Sequence, residues 1–493
     1  MTPHKGPLPG IQRDLTEDPG ASQKPCEPVS CECLEQLIAH HQGGQGSALL
    51  RPIEPEFGQE PAQSRLGIEL EMFLFDAKTL APLGARHATP GLTAESILIE
   101  IARRYEAAGA GRARLVTESA VSVLPSGMLD GHAPPREVVY GLVLSEGLVY
   151  SIEPGGQLEI ATPPYADLAL VQSSLRRALQ LVEDVTGTDV LFLSHGTNPL
   201  TEADFALQIP KSRYRILTRY LASEPGGRGI DMMRHAATVQ PNIDVSSDRD
   251  AWKEAVHLTY SLSPMFKNLF ANSFYFRGQA VADGLERQRI WSGMDASRSG
   301  VPPGILDAAN PACTYAIWAS QSFVFLIEGL PEHEQPKYRE LRFLDWAKNG
   351  YKGRRPDLAD WERHLSTLFP ELRLRGFLEI RMLDAQPFEK LIPLMALVRG
   401  LLQAPSGRES LVREWSQCRD EFSANQREAL FARLQRIADS GLASLGEASH
   451  GVARRALAAL HPEEPRDFLG FGGASDFVRH AATMEPSRKL GPL

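Results

Sequence analysis

Glu69 and Glu71 stand two residues apart in the run Gly67-Ile-Glu-Leu-Glu-Met-Phe-Leu-Phe75. Alternate side chains of a β-strand share a face, so both carboxylates point one way while Ile68, Leu70, Met72 and Leu74 point the other. The same division of acid from apolar recurs in three more segments. In Ser151-Ile-Glu-Pro-Gly-Gly-Gln-Leu-Glu-Ile160, Glu153, Gln157 and Glu159 share a parity against Leu158 and Ile160, and Pro154 with Gly155-Gly156 is expected to bend the strand. In Thr238-Val-Gln-Pro-Asn-Ile-Asp-Val-Ser246, Thr238, Gln240, Asn242, Asp244 and Ser246 oppose Val239, Ile243 and Val245. Pro241 has no N–H to give a neighbour, so a bulge or an edge is expected there. In Phe377-Leu-Glu-Ile-Arg-Met-Leu383, Glu379 and Arg381 oppose Leu378, Ile380 and Met382.

One such strand is what any half-buried antiparallel strand shows, with its outer face in water. The set says more, because its outward positions hold Glu, Gln and Asn with hardly any Lys. Placed in one sheet, Glu69, Glu71, Glu153, Glu159 and Glu379 would converge, and carboxylates that close repel unless cations neutralise them or some take up protons. Hard oxygen ligands in this number suit two or more magnesium ions, with manganese as the substitute, and not zinc. Magnesium held by several carboxylates points to nucleotide phosphates bridged by metal. No G-x-x-x-x-G-K-[ST] loop or G-x-S-x-G elbow is present, and Gly226–Gly229 and Gly470–Gly473 read as turns. Phosphoryl transfer also needs positive charge, for which Arg381, Arg298 and Arg289 are candidates. Each competes with a surface salt-bridge role, the preferred one for Arg289.

The elements that must carry these groups lie in a chain of 493 residues, 43% hydrophobic and 23% charged, as in ordinary globular proteins. Residues 1–64 are rich in Pro, Gly, Gln and Ser and read as a largely irregular leader with one short helix near Cys33–His41. Strand patterns, turns and helical stretches alternate over 65–403, the catalytic body. Residues 404–493 read as a helical flank, with Leu411, Trp415, Phe422, Leu430, Leu434 and Ile437 at roughly helical spacing.

A net charge of −9 argues against nucleic acid as a partner and for small molecules. No apolar run approaches the roughly 20 residues of a membrane span, so no membrane partner is expected. The polar start is unlike a secretory signal, and the cytoplasm is the expected address. The five cysteines form no disulfide framework. Cys26, Cys31 and Cys33, with His40 and His41, match no zinc-finger spacing.

The segment from Asp360 through Trp361, His364, Phe369 and Leu374 to Arg381 resembles the plant and proteobacterial type of glutamate–cysteine ligase. Gly67–Phe73, Glu153–Ile160, Thr238–Ser247, Leu269–Ser273 and Ile290–Gly300 support the resemblance in family order. It implies an α+β fold, glutamine-synthetase-like, in which a curved, mostly antiparallel sheet forms a funnel flanked by helices. It also implies the reaction. ATP would phosphorylate the glutamate γ-carboxylate, and the amine of cysteine would attack the acyl phosphate to give γ-glutamylcysteine.

By the same resemblance Glu69, Glu71, Glu153, Glu159 and Glu379 would be metal ligands, with Gln240 beside them. Asn242 would line the nucleotide or glutamate site with Gln157 and Thr238. Arg381 would act with Glu379 on the transferring phosphoryl group, and Arg298 would hold phosphate or the glutamate carboxylate. Trp291 and Tyr315 would shape pockets or simply pack. The run Met382-Leu-Asp-Ala-Gln-Pro387 is more like the branch serving ergothioneine synthesis than the glutathione branch, and no redox switch of the plant kind is expected. Two rivals stay open: a related ligase joining glutamate or another carboxylate to a different amine, and an inactive binding homologue. Oligomeric state is not legible.

Overall fold

A computed structural model describes residues 49–58, 64–84, 92–120, 136–200, 209, 211–245 and 248–403, together with Ser30 and Glu32. The cysteine cluster, the leader helix, Ser246 and the helical flank lie outside the described residues. Strand β1 (Leu66–Asp76) is central. It is followed by α1 (Ala94–Ala107), β2 (Ala113–Ala120), β3 (Arg136–Leu144), β4 (Val149–Ile152), β5 (Leu158–Ala161), α2 (Leu168–Thr186), β6 (Val190–Leu193), α3 (Ser212–Ala222), α4 (Arg228–His235) and β7 (Val239–Ile243). Then come α5 (Arg249–Leu269), β8 (Tyr275–Phe276), β9 (Gln279–Ala280), α6 (Glu286–Ser292), β10 (Ser299–Gly300), α7 (Pro311–Gln321), α8 (Phe343–Asn349), α9 (Leu358–Leu365), β11 (Phe369–Pro370), β12 (Leu372–Leu374), β13 (Leu378–Ile380) and α10 (Phe388–Gln403).

The main sheet runs β12-β13-β7-β1-β5-β4-β3-β2, with β6 paired to the far end of β1. Every pairing in it is antiparallel. One face is apolar throughout: Ile68, Leu70, Met72 and Leu74 of β1 are each at most 2% exposed and share the core with Leu158, Ile160, Val239, Ile243, Leu378 and Ile380. Burying each such side chain contributes about 1.5–3 kcal/mol. Helix α1 covers β2, β3 and β4, while α2 lies on β1 and α10 on β7.

These helices form where capping and periodicity agree. Thr93 and Ser96 make a reciprocal capping box at the start of α1. Asp167 caps α2, whose Leu168, Val171, Leu175, Ala178 and Val182 form one buried stripe. The opposite face of the sheet is covered by α3, α4 and α6, which pack on each other through Leu217, Leu221, Met232, Met233 and Ile290. The mostly antiparallel sheet flanked by helices is the architecture the resemblance implies.

Of three further expectations, two need correction. Ser151–Ile160 is not one bent strand but the β4–β5 hairpin, because Gly156 takes φ 86°, a conformation natural to glycine, and turns the chain back. Pro241 causes no bulge, and the strand has the expected edge there. Strand β7 keeps an even register with β1, and β13 pairs with it only at Asn242 and Ile243, so no neighbour seeks the missing N–H. The leader reading fails for 49–58: Leu49, Leu50 and Ile53 are buried in the main core, and Trp361 Nε1 donates to the Leu49 carbonyl at 3.0 Å. Cys313, the one cysteine among the described residues, is disulfide-bonded. No helix among the described residues is long and apolar enough to cross a membrane.

Candidate active site

Between the polar face of the sheet and the α3–α4–α6 layer lies a cavity of about 470 Å³. Sheet register decides what faces it. Arg373 stands opposite Glu379 and Glu379 opposite Asn242. Gln240 stands opposite Glu69, Glu71 opposite Glu159, and Glu159 opposite Ser151. Across four strand spacings, roughly 19 Å, the wall thus passes from guanidinium to amide to carboxylate. Lys211 and Arg213 at the start of α3, and Arg287 of α6, add positive charge from the facing layer. Basic groups oppose the dipole at a helix start, so their place there is an electrostatic cost that an anion would offset.

Glu69, Glu71, Glu153 and Glu159 all line this cavity, Glu153 from the β4–β5 turn and the others from strands. Burial first, then Glu159 and Glu379, pushes the Glu69 carboxyl up to about 8. Burial with Glu153 and Glu159 raises Glu71 well above the ordinary range. Glu159 rises to about 7 through burial and Glu153, against a 2.5 Å hydrogen bond from Ser151 Oγ. Burial raises Glu153 too, although Lys211 and Arg381 oppose it. These acids are poor company for one another without added positive charge.

Glu379 behaves differently. Burial alone would raise it, but Arg373, Arg381 and Arg375 outweigh burial and hold it at about 2. Arg373 donates to it at 2.9 Å and Arg375 at 3.3 Å, and Arg381 pairs with it directly. Arg381 also donates to Gln240 Oε1 at 2.7 Å, and Gln240 Nε2 donates on to Glu71 at 3.3 Å. A hydrogen-bonded relay therefore joins the cationic side of the wall to the acidic side.

Among the described residues, no three Asp, Glu, His or Cys side chains stand as a ready metal cage. The donor set nevertheless fits a hard cation. Glu69, Glu71, Glu153 and Glu159 offer carboxylate oxygens, and Gln157 Oε1 and Asn242 Oδ1 are buried without a hydrogen-bond partner. Asn242 Nδ2 meanwhile donates to Glu69 at 3.0 Å, so its free oxygen stands beside a carboxylate.

The model of glutamate–cysteine ligase family 2 matches residues 65–464. The chain belongs to that family. Glutamate–cysteine ligase A, chloroplastic, of Oryza sativa subsp. indica is 28% identical over 389 residues, covering 76% of this chain and 69% of that protein. Glutamate–cysteine ligase EgtA of Mycolicibacterium smegmatis is 34% identical over 282 residues, 54% of this chain and 63% of that protein. The chloroplastic enzyme of Medicago truncatula is 31% identical over 267 residues, 51% of this chain and half the length of that protein (50%). Glutamate–cysteine ligase of Francisella tularensis, solved with AMP, aligns at a TM-score of 0.40 with 10% identity, over 88% of this chain and 91% of that one.

Within this glutamate–cysteine ligase family member the candidate residues divide. Glu69, Glu71, Glu153, Glu159, Gln157, Thr238, Gln240 and Arg381 line the cavity. Thr238 serves it through its backbone N–H, which donates to Glu71 at 2.9 Å, since its hydroxyl goes to the Leu383 carbonyl. Glu379 and Gln240 are poor metal ligands as they stand, because Arg373, Arg375 and Arg381 occupy their oxygens.

Arg298 does not reach the cavity. It is fully buried, with Nε on Asp295 at 3.1 Å and other nitrogens on Tyr220 Oη and the carbonyls of Thr367 and Phe323. Arg289 sits on the surface with Asp283 and Glu286, as its salt-bridge reading holds. Trp291 lines the cavity, whereas Tyr315 is wholly buried in the core.

Sequence reading missed Arg373, Arg375, Lys211, Arg213 and Arg287. For Arg373 a signal existed: Leu372 and Leu374 are buried on either side of it, so its parity already set it on the polar face.

Proposed function

We propose that this protein is an ATP-dependent ligase that joins the γ-carboxylate of glutamate to the amine of cysteine through a γ-glutamyl phosphate. The observation that carries the reading is the cavity wall on which a cluster of four carboxylates and a cluster of three arginines are joined by the Arg381–Gln240–Glu71 relay. Membership of the family and likeness to plant and mycobacterial glutamate–cysteine ligases support it.

Glu69, Glu71, Glu153 and Glu159, with the free oxygens of Gln157 and Asn242, would hold magnesium, which when bound draws charge from nucleotide phosphates. The chain's own groups do the rest. Arg381 and Arg373, held in place by Glu379, present fixed guanidinium groups to the anionic group being transferred, and this costs no reorganisation during reaction. Gln240 keeps Arg381 and Glu71 at a set separation. Lys211 and Arg213 provide positive charge for substrate carboxylates from the opposite wall. Met232, Met233, Trp291 and Phe369 give the cavity an apolar stretch of wall that offers water few partners beside an acyl phosphate, which water would hydrolyse.

The test supplies magnesium, ATP and glutamate with cysteine and, separately, with a panel of other amines, following phosphate release and product mass. γ-Glutamylcysteine with stoichiometric ADP is the expected result. Turnover with another amine and none with cysteine would replace the acceptor. No ATP consumption with any amine would remove the ligase reading.

A further inference from the structure

Asp384, four residues beyond the end of β13, has a side chain 0% exposed and lines no part of the cavity. Its Oδ2 accepts from the Asn272 N–H at 2.8 Å and from Ser273 Oγ at 2.7 Å. Its Oδ1 takes Gln288 Nε2 at 3.3 Å and faces Arg287 Nη1 at 3.7 Å. The surroundings are closely packed: a Cβ at Gly196 would lie 2.7 Å from Asp384 Oδ2 and 2.2 Å from Ser273 Oγ.

Arg287 is the member of this cluster that does reach the cavity. It is 1% exposed, donates to the Arg381 carbonyl at 3.0 Å and lies 4.4 Å from the Trp291 ring centroid, while its Nε has no partner. A guanidinium so buried needs a compensating anion, and Asp384 is the carboxylate paired with it.

We infer that Asp384 is a positioning residue: it holds Arg287 from behind, so that the cation meets an anionic substrate at a fixed place in the cavity wall. This rests on the ligase reading of the site. An asparagine at the position keeps the shape but not the function. The Asn272 N–H beside Oδ2 and the Arg287 guanidinium beside Oδ1 are groups that only donate, so an amide NH2 on either side confronts a donor and loosens Arg287.

The experiment is a double-mutant cycle on Asp384→Asn and Arg287→Gln, read as dissociation constants by calorimetry with two probes, glutamate and magnesium–ADP, so that no turnover is required. The probe weakened by Arg287→Gln is expected to be weakened about tenfold or more by Asp384→Asn, as loss of a charge-assisted contact implies, and the double variant to be no weaker than Arg287→Gln alone. A role of Asp384 in folding alone would lower thermal stability with additive effects on binding. Additivity, or no effect of Arg287→Gln on either probe, overturns the inference. If Asp384→Asn does not accumulate as folded protein, Ser273→Ala, which removes one donor and spares the charge, goes through the same cycle and must show the same non-additivity. Wild-type protein that binds both probes but consumes no ATP would sink the ligase reading and leave this one decided by the cycle.

Discussion

Replacing Glu71 by Gln should stabilise this protein when divalent cations are removed and impair its chemistry when they are present. Glu71 stands directly opposite Glu159 across the β1–β5 pair. Were both ionised, two charges about 5 Å apart at an effective dielectric of about 20 would repel by about 3 kcal/mol, and the folded chain avoids this only by holding a proton that the unfolded chain releases, a cost of the same order near pH 7. The amide keeps the Thr238 N–H as a donor partner and turns one contact with Gln240 into a donor–donor meeting unless that side chain flips, a loss of about 1 kcal/mol. A net gain of about 1–2 kcal/mol remains in chelator, which raises the melting temperature by a few degrees.

The pH dependence gives the sharper check. Glu69 and Glu159 are raised in the folded protein to about 8 and about 7 from an ordinary 4.5. Their contribution is complete below pH 4.5 and is lost as pH rises through 7 and 8, where the folded chain must give up protons that the unfolded chain has already released. Bound cations remove that penalty. Stability in magnesium minus stability in chelator should therefore grow from pH 5 to pH 8, measured by urea unfolding, and Glu71→Gln should flatten the growth. A Glu71→Gln protein less stable than its parent in chelator at pH 8, or a difference indifferent to pH, would refute the reasoning.

Arg298→Met should cost about 3–5 kcal/mol, because it strands the buried Asp295 carboxylate, whereas Arg289→Ala on the exposed side of α6 should leave stability and kcat/KM within about twofold; thermal melts and steady-state rates separate the two. Gly155→Ala would set a Cβ 2.4 Å from the Arg234 carbonyl, so the turn bearing Glu153 and Gln157 must shift; a displacement near 1 Å costs about a hundredfold in kcat/KM, and unchanged kinetics would mean the turn is free to adjust. His195 donates from Nδ1 to the Thr197 carbonyl at 2.6 Å and accepts the Phe274 N–H at Nε2, and burial lowers it to about 4 from 6.5. The unfolded chain takes up that proton first as pH falls, so stability is intact above 6.5 and about 2 kcal/mol is lost by pH 5 in magnesium; an equal loss in His195→Asn would show that the proton binds elsewhere.

The acidic wall was legible because one face of the sheet is grease and the other is not. With Ile68, Leu70, Met72 and Leu74 committed to the core, a period of two left Glu69 and Glu71 no other direction, and the same reasoning carried Gln240, Asn242 and Glu379. Parity even survived a wrong element. Glu153 to Glu159 is a hairpin and not a strand, yet Glu159 returns opposite Ser151 on the polar face because the register closes there.

The opposing cations were not legible, for a different reason. Lys211, Arg213 and Arg287 belong to short helices whose own apolar stripe says which side is buried but not what it is buried against. Arg298 shows the limit most clearly. A lone arginine in a Ser- and Gly-rich block suits an anion, and its type does not reveal that two of its partners are the backbone carbonyls of Thr367 and Phe323. Backbone acceptors are present at every residue, so nothing in the residue types marks the ones a guanidinium will find; only loop packing decides whether it faces a ligand or its own chain.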